Sequence, residues 1–284
     1  MNLDGRTILI TGSTDGVGRQ VALTLGAAGA NVLVHGRDAQ RGQLVVDAIR
    51  KTGNGRGRFY AADFSSLAQV RELATAIRRD HDRLDVLVNN AGIGGASGGR
   101  QRRTSDDGHE LRFAVNYLAG FLLTRLLLPL VIASAPARIV NVSSAGQSPI
   151  DFDDVMLTRS YDGGRAYTQS KLAQILFTFD LAEELAGSGI TVNCLHPATY
   201  MDTTMVREAG ASPMSTVADG ADAIMRLAVS PELEGRTGLY FDRTTAARAH
   251  PQAYDRTARE RLRALSFQLT GLAPTSQGAT RVGE

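Results

Sequence analysis

Seven short runs dominated by apolar residues punctuate the chain: RTILITG, NVLVHG, RFYAAD, DVLVNNAG, RIVNVSS, ITVNCLHP and GLYFD. A strand with one wet face alternates apolar and polar positions. These runs are apolar nearly throughout, which predicts strands of a sheet covered on both faces. Between them, segments such as GRQVALTLGAAGA and SSLAQVRELATAIRRD carry apolar residues three and four apart, the spacing of an amphipathic helix. Strand and helix in repeated alternation predict an α/β fold: a doubly wound parallel sheet of about seven strands with helices on both faces and right-handed crossovers. One such domain accounts for residues 1–270. The stretch IGGASGGRQRRTSDDGHE reads as a loop, and the small, polar tail 271–284 as a disordered end. No internal repeat and no second domain is visible.

At 284 residues the chain is long enough to bury a substantial core. A net charge of +2 gives no argument for nucleic acid, and the local run Arg100-Gln101-Arg102-Arg103 reads as a solvated loop. The single cysteine, Cys194, excludes an internal disulfide and lies in an apolar strand pattern, as a buried inert thiol would. The most apolar region, Leu111 to Ala135, is interrupted by Asn116, Arg125 and Pro129, so no membrane span is expected there. His35, His81, His109, His196 and His250 show no ligand spacing, and no metal is expected. The first strand follows the N-terminus directly, without a signal peptide, and a cytoplasmic protein is the expectation.

Chemistry enters with TGSTDGVG, Thr11 to Gly18, between the first strand and the first helix. Gly12 permits a tight turn, Gly16 lets a backbone approach a phosphate, and Gly18 lets the helix pack against the strand. The helix start, with Asp15 and Val17, offers free N–H groups and a partial positive charge to an anion, and Ser13 and Thr14 add hydroxyl donors. A turn of this kind also occurs for purely structural reasons. Its place in the first strand–helix unit favours a dinucleotide.

The spacing T-G-x-x-x-G-x-G resembles the short-chain dehydrogenase/reductase family, and further motifs in order extend the resemblance over residues 5 to 245. Asn89-Asn90-Ala91-Gly92 matches the NNAG motif, Asn116 the helical asparagine, NVSS at 141–144 the serine strand, and Tyr167-Thr-Gln-Ser-Lys171 the Y-x-x-x-K. His196-Pro197-Ala198 stands where many members have Pro-Gly. The resemblance implies a Rossmann-type domain and a nicotinamide cofactor. It places Asn90, Ala91 and Gly92 along the cofactor, Asp63 and Phe64 at the adenine, and Pro197 near the nicotinamide, with Thr199, Thr203 and Thr204 as candidates for the threonine that follows.

After the second strand an acid would bind both ribose hydroxyls of NAD and repel a 2′-phosphate. Here that position is Gly36, and Arg37 follows, a guanidinium suited to phosphate. NADP(H) is therefore expected over NAD(H). The alternative is that Arg37 is a surface charge paired with Asp38. Asp15 weighs slightly against NADP(H), because some NADP-using relatives have a basic residue there.

Tyr167 and Lys171 are four apart and share one helix face. A nearby cation favours a phenolate. The resemblance assigns Tyr167 as acid/base, Ser144 as the polariser of the carbonyl oxygen, Lys171 as tuner of the tyrosine and ribose ligand, and Asn116 as part of a water-linked proton relay. Ser143 is the alternative to Ser144. The long segment AGQSPIDFDDVMLTRSYDGGRA between serine and tyrosine resembles the retinol-dehydrogenase-like and protochlorophyllide-reductase-like branch, which implies hydrophobic or polycyclic carbonyl or alcohol substrates. A variable loop between about Pro197 and Thr216 carries Tyr200, Met201, Met205, Val206 and Met214, as a lid over substrate or as packing against the domain's own helices. Other chemistry on the same scaffold (C=C reduction, epimerisation, dehydration) and a non-catalytic cofactor-binding regulator are the competing readings. Relatives that pair through the helices holding Asn116 and Tyr167 make a homodimer or homotetramer the expected assembly, with no nucleic-acid or membrane partner.

Overall fold

A computed structural model describes residues 2–94 and 101–273. In chain order the elements are β1 (Thr7–Ile10), α1 (Gly16–Ala27), β2 (Asn31–Gly36), α2 (Ala39–Lys51), β3 (Arg56–Ala61), α3 (Leu67–Asp80), β4 (Val86–Asn89), α4 (Leu111–Ala133), β5 (Ala137–Val142), α5 (Gly163–Glu184), β6 (Ile190–His196), α6 (Thr204–Glu208), α7 (Val217–Val229), β7 (Tyr240–Asp242), β8 (Thr245–Ala247) and α8 (Arg256–Thr270). The strands lie side by side in the order β3-β2-β1-β4-β5-β6-β7-β8. The first seven are parallel and β8 returns antiparallel to β7. This is the doubly wound sheet expected from the pattern. The extra strand, β8, is three exposed residues, Thr-Ala-Ala, and so has no apolar signature.

The near-continuous apolar runs follow from two cores. Leu9, Leu33, Leu87, Ile139 and Val192 face α3, α4, α5 and α8 on one side. Ile8, Ile10, Val32, Val34, Val88 and Val140 face α1, α2 and α7 on the other. Successive side chains of a strand point to opposite faces, so burial on both faces leaves no polar alternation. β3 departs from that pattern. As the outer strand it alternates exposed Arg56 and Arg58 with buried Gly57.

Despite the interruptions at Asn116, Arg125 and Pro129, α4 is long and apolar enough to cross a membrane by length and composition alone, a test that a buried core helix also passes. Within the fold 61% of its most apolar stretch is buried. Arg125 on this helix, 4% exposed, pairs with Glu184 at 2.6 Å and lies over the rings of Phe121, Phe177 and Phe267. α8 covers the outward face of α4 and α5: Tyr117 bonds Ser266 at 2.7 Å, Arg263 pairs with Asp180 at 2.8 Å, and Phe267 packs edge-on against Phe121. The expected tail begins at Gly271, a left-handed C-cap that ends α8. From residue 274 onward it lies outside the described residues, as do residues 95–100 of the Gly- and Arg-rich loop.

Candidate active site

The C-terminal ends of β1, β4, β5 and β6 meet along one edge of the sheet, where a doubly wound fold places its ligands. At β1 the turn runs Gly12 to Gly16 with positive φ at both ends, +65° and +52°. A Cβ on Gly12 would stand 2.8 Å from the Ala91 Cα, and one on Gly18 2.3 Å from the Gly12 oxygen. The turn, the Asn90–Ala91 backbone and the start of α1 are therefore in close contact. Asn90 Nδ2 donates to the Thr11 and Gly12 carbonyls, and Thr11 Oγ1 accepts from the Asn90 and Ala91 N–H groups. Beyond this cradle the first-turn N–H groups of Val17 and Gly18 have no intrahelical partner. The Asp15 carboxylate caps the Gly16 N–H at 2.7 Å and accepts from Thr204 Oγ1 at 2.8 Å.

Ser13 departs from expectation. Its buried hydroxyl donates to the Ile10 carbonyl at 2.8 Å and accepts from the His35 N–H at 3.0 Å, so it braces the turn and is not a free donor. His35 was not foreseen from the sequence. Its Nδ1 accepts from the Gly12 N–H at 3.0 Å, its ring lies 4.4 Å from that of Phe64, and burial lowers its pKa to about 4.

At the end of β2 the missing acid has a steric reason: a Cβ on Gly36 would lie 2.6 Å from the Thr14 side chain. Arg37 is exposed, and its ion-pair partner is Asp63 at 3.6 Å, not Asp38. Asp63 also accepts from the Ser65 N–H at 2.8 Å. The Phe64 ring is buried against His35.

Beyond β4 and β5 the structure gathers Asn116, Ser144, Tyr167 and Lys171. A π-helical stretch, Ala114–Leu118, widens α4 around Asn116. The Asn116 amide is engaged on both sides: Oδ1 accepts from the Ile93 N–H at 2.8 Å, and Nδ2 donates to Ser170 Oγ at 2.9 Å. Of the two serines, Ser144 is the one whose hydroxyl acts on the Tyr167 phenol, lowering its proton affinity, whereas Ser143 donates to the Lys171 carbonyl at 2.7 Å. Lys171 Nζ lies 5.8 Å from the Tyr167 ring centroid and would be 3.6 Å from a Cβ on Gly92. Burial pushes the Tyr167 phenol up; the Ser144 hydroxyl opposes it, and the nearby Tyr200 adds to it. Lys171 is not among these causes, and burial brings its own pKa down to about 7. A phenol, a hydroxyl and an ammonium so arranged can hold a substrate oxygen between Ser144 and Tyr167 and exchange a proton with it.

After β6, Pro197 and Ala198 are buried. Thr199 bonds His196 at 3.1 Å, Thr203 Oγ1 donates to the Met201 carbonyl at 3.3 Å, and Thr204 reaches Asp15. The variable loop divides its apolar residues. The Met201 sulfur packs where a Cβ on Gly220 of α7 would be, whereas Tyr200, Met205 and Met214 are exposed. Tyr200 adopts a left-handed φ of 42°, rare for a bulky residue and found where surrounding structure imposes it. Cys194 is buried, its thiol pushed up to about 12, as an inert thiol requires.

A family model described as short chain dehydrogenase matches residues 6–213. Retinol dehydrogenase 13 of Mus musculus is 39% identical over 290 residues, spanning 95% of this chain and 85% of that protein. Retinol dehydrogenase 12 of Homo sapiens is 34% identical over 284 residues, spanning 96% and 88%. Among solved structures, an uncharacterised protein from Mycobacterium paratuberculosis superposes with a TM-score of 0.78 at 28% identity, over 95% of each chain. A short chain dehydrogenase from Shigella flexneri complexed with NADP gives 0.66 at 26% identity, over 85% of this chain and 98% of that one.

Proposed function

Because the chain belongs to the short-chain dehydrogenase family, on its retinol-dehydrogenase-like branch, we propose that it is an NADP(H)-dependent oxidoreductase acting on hydrophobic carbonyl compounds and their alcohols. The observation that carries this reading is the Tyr167 phenol facing the Ser144 hydroxyl, which lowers its proton affinity, with Lys171 Nζ 5.8 Å from its ring centroid. The cofactor, when bound, supplies or accepts the hydride. The chain's own residues do the rest. Gly12, Gly16, Val17 and Gly18 cradle the phosphates, Asn90, Ala91 and Gly92 line the path to the nicotinamide, and Pro197 closes it. Ser144 donates to the carbonyl oxygen and fixes its place. Tyr167 gives that oxygen a proton in reduction and takes it back in oxidation. Lys171 holds ribose and stabilises the phenolate, and Asn116 keeps the Ile93 backbone and α5 in register behind them.

Arg37 and the absence of an acid at Gly36 support NADP(H) over NAD(H), as does the NADP held by a structural relative. The names of the retinol dehydrogenase relatives and the exposed Tyr200, Met205 and Met214 beside the cleft support an extended apolar substrate. The position of α8 across α4 and α5 supports a monomer, since pairing through that face would require α8 to leave.

The test is NADPH consumption over bulky ketones, aldehydes and enones, read by absorbance and product mass. Alcohol formation should fall by roughly 10²–10⁴-fold in Tyr167→Phe, the usual worth of a positioned acid, while NADPH still binds. Saturated ketones formed from enones, or turnover indifferent to Tyr167→Phe, would move the assignment to other chemistry on this scaffold.

A further inference from the structure

Gln174 lies one helical turn beyond Lys171 on α5 and is 4% exposed. Its Oε1 accepts from Lys171 Nζ at 3.0 Å, and the Val142 carbonyl of β5 accepts from the same nitrogen at 2.9 Å. An ammonium has three N–H donors. Two are thus held by fixed neutral oxygens, and the third is left for the side of Gly92 and Tyr167, where the substrate and ribose would lie. A buried polar chain lies behind this turn of α5. Thr178 Oγ1 donates to the Gln174 main-chain carbonyl at 2.7 Å and accepts from Asn141 Nδ2 at 2.8 Å, and Asn141 Oδ1 accepts from Asn89 Nδ2 at 2.8 Å. An amide in this core would be replaced at less desolvation cost by an apolar side chain, unless its oxygen is needed.

We propose that Gln174 is a positioning residue that keeps the Lys171 side chain in its observed rotamer and in its charged form, and through it sets the proton affinity of Tyr167. The Lys171 part stands on the observed contacts; the consequence for catalysis rests on the proposed function. Burial disfavours the ammonium, and the two oxygen dipoles oppose that penalty. The titratable groups facing this pair are His196 at the end of β6, which senses Lys171, and Tyr200 in the loop beyond, which is sensed by Tyr167. Without the Gln174 oxygen Lys171 loses its proton at lower pH, less positive charge faces the phenolate, and Tyr167 ionises at higher pH.

Lys51 and Lys171 are the chain's two lysines, so lysine carrying ¹³C at Cε gives two NMR signals, with exposed Lys51 as internal reference. The Lys171 midpoint should fall by about one pH unit in Gln174→Met, a tenfold change in its ionisation constant. Thr178→Val disturbs the same buried chain but spares both acceptors of Nζ, and should leave that midpoint in place. Should Gln174→Met not fold, Gln174→Asn, one methylene shorter, is read in the same way. An unmoved Lys171 midpoint in a folded Gln174 variant, or an equal shift in Thr178→Val, overturns the proposal. On any alcohol the wild type oxidises, the acid limb of the kcat/KM profile should move to higher pH in Gln174→Met. A shifted Lys171 signal with an unmoved limb would refute the link to Tyr167. The NMR titration needs no turnover, so absence of activity in the wild type would count against the proposed function and leave the Lys171 result to stand or fall by itself.

Discussion

Gly18→Ala puts the close contact of helix, turn and fourth strand to a quantitative test. Alanine in a helix is favoured over glycine by about 1 kcal/mol, so on propensity alone the variant would be stabilised. The added methyl would stand 2.3 Å from the Gly12 oxygen, a backbone atom, and 2.5 Å from Asn90 Nδ2, which hydrogen bonds to the Thr11 and Gly12 carbonyls hold in place. Pushing α1 off the turn costs about 1–3 kcal/mol as overpacking. Losing the Asn90–Gly12 hydrogen bond costs about 1 kcal/mol more. The balance is a destabilisation of roughly 1–3 kcal/mol, or a fall in Tm of about 2–12 °C at the 2–4 °C per kcal/mol of domains approaching this size. NADPH affinity, measured by fluorescence titration, should weaken about tenfold or more, because the displaced turn carries the phosphate cradle. Gly120→Ala on α4 is the matched control: its nearest neighbour would be 3.7 Å away, an ordinary contact, so Tm should hold or rise. A Gly18→Ala protein as stable as wild type with unchanged NADPH Kd would refute the account of this turn.

Three more outcomes are expected. His35 has a folded pKa of about 4 against about 6.5 when unfolded, so the unfolded chain binds more protons between these values. Stability from this residue is complete above about pH 6.5 and falls by on the order of 3 kcal/mol as the pH drops to 4; His35→Asn, which keeps an acceptor for the Gly12 N–H, should flatten that part of the slope in denaturant titrations, and an unchanged slope would exonerate His35. Arg37→Ala should raise the KM for NADPH by roughly ten- to a hundredfold, the loss of a charge-assisted hydrogen bond of about 1.5–3 kcal/mol, and hardly touch NADH; equal losses with both would rule out a 2′-phosphate contact. Sedimentation at tens of micromolar should give a monomer, and a dimer joined through α4 and α5 would contradict the covering role of α8.

The sheet was legible in the sequence because burial on both faces removes polar positions from its strands, and the cradle because a close backbone approach permits only glycine at Gly12 and Gly18. β8 was not, since three exposed residues paired to an edge carry no apolar signature. The expected four, Asn116, Ser144, Tyr167 and Lys171, come together at one end of the sheet, and Ser143 is set apart from Ser144 by its bond to the Lys171 carbonyl. What the motifs did not disclose is the layer behind them. Gln174 could have been suspected, because three residues beyond Lys171 is the same helix face. His35 and Asn141 could not, because their partners are 23 and 37 residues away in sequence and meet them only through strand order. The difference has a physical origin. A residue that touches a ligand must have a particular chemistry at a particular spacing, whereas one that braces it needs only a polar atom delivered by whichever element passes nearby. The bracing layer is also where removal of one partner costs most, because a buried donor or acceptor left alone cannot turn to water. For this chain the charge on Lys171 and the shape of the Gly12 turn should therefore respond as strongly to Gln174 and His35 as to residues within the motifs themselves.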